Sequence, residues 1–376
     1  AHDLFLELAE RLGVPVTSGW NAHDVIHDDH PCYSGRPSSV GDRAGNFTVQ
    51  NSDALLVLGS RLNIRQVSYN YQSFARAAYK MMVDIDKAEM QKHTLSIDMP
   101  IHADLREFLP ALLEAMPGYR TPKAHADYLA WAQERRRKYP TVLPEYWSTK
   151  GAVNPYCFIS VLFDALKEGD HIVTGDGTAC VVSFQAAALK KGQRLYTNSG
   201  SASMGYDLPA VIGAWHADPA DRITCIAGDG SIMQNIQELA TIVGQKIPAK
   251  IFLLNNSGYH SIRQAQQSYF PDNVVGCGPD SGLSFPDFER LAQAFGLGYA
   301  RASSHDDMRG AIEQTLSTPG PFICEVMIDK AQVFSPKLSS RKLDNGAMVS
   351  SPLEDLAPFL PRDEFKSNML IPTMDN

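Results

Sequence analysis

The sequence predicts an α/β protein built from two doubly wound domains with mainly parallel sheets. Apolar runs of strand length, among them Ala54–Leu58 (ALLVL), residues 81–86 (MMVDID) and residues 250–256 (KIFLLNN), lack the alternation of a half-solvated strand. They suit strands covered on both faces by helices. Stretches of helical periodicity separate them, and the first two lead into Gly or Asp, as a strand entering a loop should. With 376 residues, 44% of them apolar and 20% charged, the chain is long enough to bury two cores rather than one.

Leu4, Leu8 and Leu12 recur at helical spacing up to Gly13, and residues 14–17 read as a short strand, so an α/β unit opens the chain. The strands at 54–58 and 81–86 continue it. Between residues 117 and 150 the character changes to charge, proline and aromatics, the composition of a linker. Its basic run, Arg135, Arg136, Arg137 and Lys138, reads as a solvated helix face. Residues 1–116 are thus expected to form one domain, incomplete at its N-terminus. Residues 151–335 form the second, and 336–376 a C-terminal tail.

The second half alternates more clearly. A helix is expected over 155–167, a strand at His171–Thr174, then a glycine turn and a helix to about residue 190. The strand Arg194–Thr197 and a Ser/Gly loop follow, then a helix over 208–215, the strand Ile223–Gly228 and a helix over 232–243. The run 250–256 comes next. Further elements fall at 285–295, at Tyr299, after His305 and at 321–329. Such alternation argues a parallel sheet with ligands at the carboxyl ends of its strands.

Composition excludes several function classes. Lysine and arginine total 34 against 42 acids, a net charge of −8, and no long basic stripe exists to neutralise a phosphate backbone. The six cysteines are scattered without a C-x-x-C pair, which suits reduced thiols in the cytoplasm. No apolar stretch reaches the roughly 18 residues that cross a bilayer, and the first residues do not form a signal peptide. The sequence opens at Ala1 in an element that is already helical, the expectation for a processed or cropped piece of something longer.

The informative chemistry begins at Gly228, Asp229, Gly230 and Ser231, directly after a strand and before a helix. Glycines let the chain turn tightly and let backbone N–H groups approach an anion, while a helix N-terminus adds partial positive charge. Asn255 and Asn256 end the next strand. A carboxylate and a carboxamide then reach one edge of the sheet, an oxygen set suited to Mg²⁺ with a carbonyl from the following turn, that of Gly258. Gly-Asp-Gly by itself is ordinary turn chemistry. The second half of the pattern gives it meaning.

Gly-Asp-Gly-Ser followed, one helix and one strand later, by Asn-Asn resembles the signature of thiamin-diphosphate enzymes. NSGSASMGYDLPAVIGA at 198–214, GDGSIMQNIQELATIV at 228–243 and LLNNSGYHSIRQAQ at 254–267 look like the acetohydroxyacid synthase and pyruvate decarboxylase superfamily. HPCYSGRPSSVGDRAGNFTVQNSDALLVLGSRLNIRQ and MMVDIDKAEMQKH resemble that family's central domain, so the resemblance covers about residues 1 to 330. GYHSIRQ, SGLSFPDFERLAQAFG and PLEDLAPFLPRDEFKSNML look most like acetolactate-synthase-like proteins of surface-polysaccharide loci, some of which attach a two-carbon unit to a keto sugar.

The resemblance implies thiamin diphosphate and Mg²⁺ as cofactors. Asp229, Asn256 and the Gly258 carbonyl would be metal ligands. Gly228, Gly230 and Ser231 would bind the diphosphate, with Gly177 and Thr178 in a second loop and Tyr259 beside the metal turn. Family members often carry Gln and His where Gly177 and Thr178 stand. Met204 matches the apolar residue that props the cofactor in a bent form, and the Ala202 carbonyl would accept from its 4′-amino group. The alternative for Met204 is a core methionine at a helix start. His260, where the family has glycine, is a candidate acid, base or hydrogen-bond donor to substrate. Ala265 stands where a tryptophan flanks the acceptor site, which implies a wider pocket. Arg65 matches an arginine near the flavin and substrate channel, with a surface ion pair as the alternative. Some members hold a non-redox FAD, and Gly59, Arg61, Asp84 and Ile85 occupy matching positions.

Family members also carry an N-terminal pyrimidine-binding domain whose glutamate contacts the cofactor, and no glutamate here takes that part. The expectation is that a missing N-terminal region or a separate chain supplies it, in a homodimer or homotetramer. Three functions stay open: a carboligase that decarboxylates a 2-keto acid such as pyruvate and joins the fragment to a carbonyl acceptor, a simple 2-keto acid decarboxylase, and a cofactor-binding subunit without activity of its own.

Overall fold

A computed structural model describes residues 1–342 and 348–374, and the chain divides into two compact units, Ala1–Thr141 with Ser335–Asn376 and Val142–Phe334. The fold is α/β, with two sheets whose strands are all parallel. Among the described residues no helix is long and apolar enough to cross a membrane. No disulfide joins any of the six cysteines, all of which are buried.

In the first unit, β1 (Ala54–Leu58), β2 (Tyr79–Asp84) and β3 (Met99–His102) lie side by side in that order. Its helices are α1 (His2–Leu12), α2 (Arg43–Gln50), α3 (Ile64–Val67), α4 (Lys87–Gln91), α5 (Leu105–Glu114) and α6 (Lys123–Lys138). Asp42, Asn63, Asp86 and Asp104 cap α2 to α5, each side chain accepting a first-turn amide. The edge strand β3 escaped the sequence reading because Pro100 interrupts it; an edge has no second neighbour to need the missing N–H.

Three expectations change here. Residues 14–17 form no strand: Val16 alone bridges Tyr33, and Pro15 lacks the N–H a longer ladder would use. The expected linker contains α6, a 16-residue helix of the first unit with Ala132 and Arg135 buried. The basic run is therefore not simply solvated. Arg135 lies 4.4 Å over the Trp131 ring and bonds Asn368 Oδ1 at 3.1 Å, and Arg136 lies 4.4 Å over Tyr33. The segment after residue 335 is equally part of this unit. Glu354, buried, accepts from Gln50 at 2.6 Å and pairs with Arg76 at 2.7 Å, while Leu370 N–H bonds Asn51 Oδ1 at 2.6 Å. Ser340–Lys342 and Met348–Ser350 pair antiparallel in a two-stranded ribbon.

The second unit holds a six-stranded sheet of β4 (His171–Thr174), β5 (Arg194–Thr197), β6 (Ile223–Gly228), β7 (Ala249–Asn255), β8 (Gly298–Ala302) and β9 (Phe322–Met327), in the order β5-β4-β6-β7-β9-β8. Its helices are α7 (Pro155–Ala165), α8 (Thr178–Ala186), α9 (Asp207–Ala217), α10 (Asp229–Ile232), α11 (Glu238–Gly244), α12 (His260–Tyr269), α13 (Phe288–Phe295) and α14 (His305–Ser317). The single helix expected over 232–243 is broken into α10, a 3₁₀ turn at Met233–Asn235 and α11. Successive strand residues face opposite sides. Ile226, Phe252 and Leu254 enter a core with α7, α8 and α14, whereas Cys225, Ala227, Ile251 and Leu253 enter another with α9, α11 and α13. The continuous apolar runs follow from this two-sided burial.

Phe252 is fully buried between Phe158 and its core neighbours. Phe252→Ala should lower the unfolding free energy by about 3–5 kcal/mol in urea titrations; a loss below about 1 kcal/mol would show that this face is not closely packed.

Candidate functional site

From β4 the chain steps outward to β5 and then returns to β6 on the far side of β4. The strand order therefore reverses between β4 and β6, and the helices leave that crevice on opposite sides, which is where open α/β sheets bind ligands. Residues 174–178 end β4, Gly228–Ser231 end β6, and residues 255–259 end β7.

No loop separates β6 from α10. Gly228 closes the strand and the helix begins at Asp229, so the Gly230 and Ser231 amides are first-turn N–H groups. Asp229 is fully buried. Its Oδ1 accepts Gly230 N–H at 2.8 Å and its Oδ2 accepts Gly258 N–H at 2.9 Å, which joins the end of β6 to the turn after β7. A methyl group on Gly230 would lie 2.3 Å from the Tyr259 ring, and one on Gly258, at φ +138°, would lie 1.9 Å from the Cys277 carbonyl oxygen. Both positions exclude any side chain.

The two asparagines separate in role. Asn255 Nδ2 donates to Glu325 Oε1 at 2.6 Å and its Oδ1 accepts Ser257 N–H at 3.0 Å, so it braces the turn from within the sheet. Asn256 is 3% exposed and its Oδ1 has no hydrogen-bond partner among the described residues. A buried carboxamide oxygen left unmatched costs free energy that a ligand would recover. Arg263 holds the carbonyls of Ser257 at 2.8 Å, Cys277 at 3.2 Å and Asn256 at 3.3 Å, and the Gly258 carbonyl is not among them. Sequence reasoning missed Arg263, whose partners lie in a turn and a later loop.

At the β4 end Gly177 adopts φ +85° and caps α8, and the Thr178 Oγ1 is buried without a partner among the described residues. A methyl group on Gly177 would stand 3.9 Å from Ser261 Oγ on α12, so this loop adjoins the helix that follows the β7 turn. Met204 is 39% exposed, which removes its reading as a core methionine, and Ala202 is held at φ +54°. Backbone in that region, for a residue with a side chain, persists only where its surroundings enforce it.

His260 is buried at the start of α12, with Nε2 2.9 Å from the Gln332 carbonyl and its ring edge-on to Phe334 at 5.9 Å. Tyr259 receives a hydrogen bond from Gln234 at 3.0 Å. Ala265 is exposed on α12. In the first unit Gly59 N–H bonds the Val83 carbonyl at 2.9 Å, so Gly59 and Arg61 lie beyond β1 next to the end of β2, where Asp84 is buried and Ile85 is exposed. Arg61 pairs with Glu89 at 3.1 Å. Arg65 is exposed and makes no ion pair among the described residues.

The residues at the β6 and β7 ends fit a hard cation: one buried carboxylate, one unmatched carboxamide oxygen and an adjacent carbonyl. The first-turn amides of α10, and the unmatched Thr178 hydroxyl beyond the end of the neighbouring strand β4, fit a diphosphate.

Two family models match the chain: "Thiamine pyrophosphate enzyme, central domain" over residues 1–112, and "Thiamine pyrophosphate enzyme, C-terminal TPP binding domain" over residues 175–326. The chain belongs to the thiamine pyrophosphate enzyme family. It is 32% identical over 345 residues to the acetolactate synthase isozyme 2 large subunit of Escherichia coli, covering 92% of this chain and 59% of that protein. Acetolactate synthase 2, chloroplastic, of Nicotiana tabacum is 33% identical over 306 residues, 78% of this chain and 45% of the relative. The large subunit from Pyropia yezoensis is 29% identical over 353 residues, 93% and 58% respectively. The chain thus spans less than two thirds of the length of these relatives.

Burial raises the Asp229 carboxyl to about 6, against the bonds from Gly258, Gly230 and Ser257 and the charge of Arg263. An unfolded aspartate titrates near 3.9, so between about pH 4 and 6 the folded state binds the extra proton. Stability of the metal-free protein should fall as pH rises through that window, by up to about 3 kcal/mol, and stay level above it. A divalent cation held by Asp229 would need the carboxylate, so Mg²⁺ affinity at such a site would climb about tenfold per pH unit and level off above about pH 6. Calorimetric Mg²⁺ titrations and urea unfolding at several pH values check this, and Asp229→Asn should remove the Asp229 contribution to both.

Proposed function

We propose that this chain provides the diphosphate-binding and metal-binding half of a thiamin-diphosphate-dependent enzyme that decarboxylates pyruvate and transfers the two-carbon unit to a small carbonyl acceptor. The observation that carries the reading is the unmatched Asn256 Oδ1 on a turn bonded to the buried Asp229. Names among the relatives support pyruvate chemistry, since acetolactate is a two-carbon unit joined to pyruvate.

In this reading Asp229, Asn256 and the Gly258 carbonyl hold Mg²⁺, and the α10 amides with Gly177 and Thr178 hold the diphosphate. The bound cofactor supplies the carbanion chemistry that lets a 2-keto acid lose CO₂. The protein supplies position. Met204 offers an apolar surface on a loop that Ala202 and Gly205 hold in left-handed backbone, and the Ala202 carbonyl is available as an acceptor. His260 acts on substrate only if its contact with the Gln332 carbonyl opens. Ala265 leaves room beside α12 for an acceptor at least as large as pyruvate. The reading requires a pyrimidine-binding domain in the same assembly, with the site completed in a homodimer or homotetramer.

The test is product analysis with pyruvate, thiamin diphosphate and Mg²⁺, in an assembly that includes a pyrimidine-binding domain. The expected products are CO₂ and a 2-hydroxyketone carrying the acceptor, and Ala265→Trp should lower kcat/KM for larger acceptors about tenfold or more. CO₂ with acetaldehyde as the sole organic product, whatever acceptor is added, would identify a simple decarboxylase; no CO₂ release would remove the enzymatic reading.

A further inference from the structure

Asp207 opens α9, is fully buried and touches none of the groups assigned above to metal or substrate. Its Oδ2 accepts the Ser231 hydroxyl at 2.7 Å, and its Oδ1 accepts Leu208 N–H at 3.0 Å. The Ser231 oxygen in turn accepts Gly205 N–H at 3.0 Å, and the Gly205 carbonyl accepts Asn235 Nδ2 at 2.8 Å. Gly205, next to Met204, is therefore gripped on both sides by the segment that follows β6. Its φ of +80° and the 2.6 Å that would separate an added methyl group from Gln234 Cβ show how close that approach is. Gly175, at the end of β4, completes the enclosure, because a methyl group there would lie 2.5 Å from Asp207 Oδ2.

A hydroxyl has one proton to donate. Ser231 gives that proton to Asp207, and phosphate oxygens can only accept, so the hydroxyl has nothing left to offer a diphosphate. Only the Ser231 main-chain N–H remains for that purpose. We propose that Asp207 is a positioning residue, which turns the Ser231 hydroxyl away from the diphosphate and makes it the link that fixes the Met204 loop. The ligand side of this inference rests on the cofactor reading above; the Asp207–Ser231–Gly205 link does not.

Two measurements on the 376-residue protein test it: amide hydrogen exchange across residues 198–206, and calorimetric titration with magnesium pyrophosphate. Ser231→Ala and Asp207→Ala should each speed exchange at Gly205 and its neighbours about tenfold, while Ser231→Ala weakens magnesium pyrophosphate by less than about twofold. Asp207→Asn keeps an acceptor for the hydroxyl and should restore most of the protection. Gly175→Ala should speed exchange as Asp207→Ala does, and combining the two substitutions should add little to either alone. Unchanged exchange in Ser231→Ala and Asp207→Ala would overturn the link. A loss of tenfold or more in magnesium pyrophosphate affinity for Ser231→Ala would show that the hydroxyl is itself a phosphate donor. If the wild-type protein binds no magnesium pyrophosphate, the cofactor reading falls with the diphosphate half of this inference, while the exchange data still decide the link.

Discussion

The structure of the second unit turns on one buried carboxylate. Asp229 sits where β6 becomes a helix without an intervening loop, and each of its oxygens accepts a backbone amide, one from its own helix turn and one from Gly258 after β7. A buried charge is tolerated only where hydrogen bonds or an ion compensate it. Backbone amides and the Arg263 charge compensate Asp229 in part, and its raised pKa records the remainder. The ends of two adjacent strands are thereby committed to a place where a cation would relieve the deficit.

Much of the surrounding sequence follows from that commitment. Gly230 must lack a side chain because the Tyr259 ring fills the space, and Gly258 because the Cys277 carbonyl does. Arg263 ties down the turn by its carbonyls, and Asn255 anchors it to the sheet through Glu325, itself paired with Arg301 at 2.8 Å. Asn256 is what these restraints leave over: a buried side chain whose oxygen nothing among the described residues matches. Precise placement of such a group requires a rigid base. The two apolar layers on either face of the sheet provide it, since β6 and β7 contribute alternate residues to each.

What could be read in the residues depended on how local the physics was. Strands buried on both faces announce themselves as apolar runs, so β4, β6, β7 and β9 were legible within a residue or two, and β1 and β2 were legible as apolar runs although only later residues in each are buried. The edge strand β3 was not, because Pro100 is tolerated only by virtue of its place in the sheet. Helix α6 was hidden in a charged, proline-flanked segment whose arginines lie over aromatic rings that sequence distance conceals. At the candidate site, GDGS and NN were visible as a pair, and the resemblance singled out Asn256, but the residue types alone do not say why Asn255 differs from it. That distinction comes from Glu325, some seventy residues later. Asp207 and Arg263 were missed for the same reason: their partners are brought to them by topology. An acidic residue at the head of an apolar helix, as in DLPAVIGAW, was the one local sign that Asp207 was enclosed.

The account's central claim is that Asp229 and Asn256 close on the same hard cation. The most direct measurement is a crystal structure grown with Mn²⁺ in place of Mg²⁺ and with pyrophosphate, located by anomalous scattering. The account predicts one strong peak about 2.0–2.3 Å from both an Asp229 carboxylate oxygen and Asn256 Oδ1, with pyrophosphate oxygens completing the shell. A peak bound elsewhere, or an Asn256 Oδ1 that accepts from a protein donor while the metal ignores it, would contradict it.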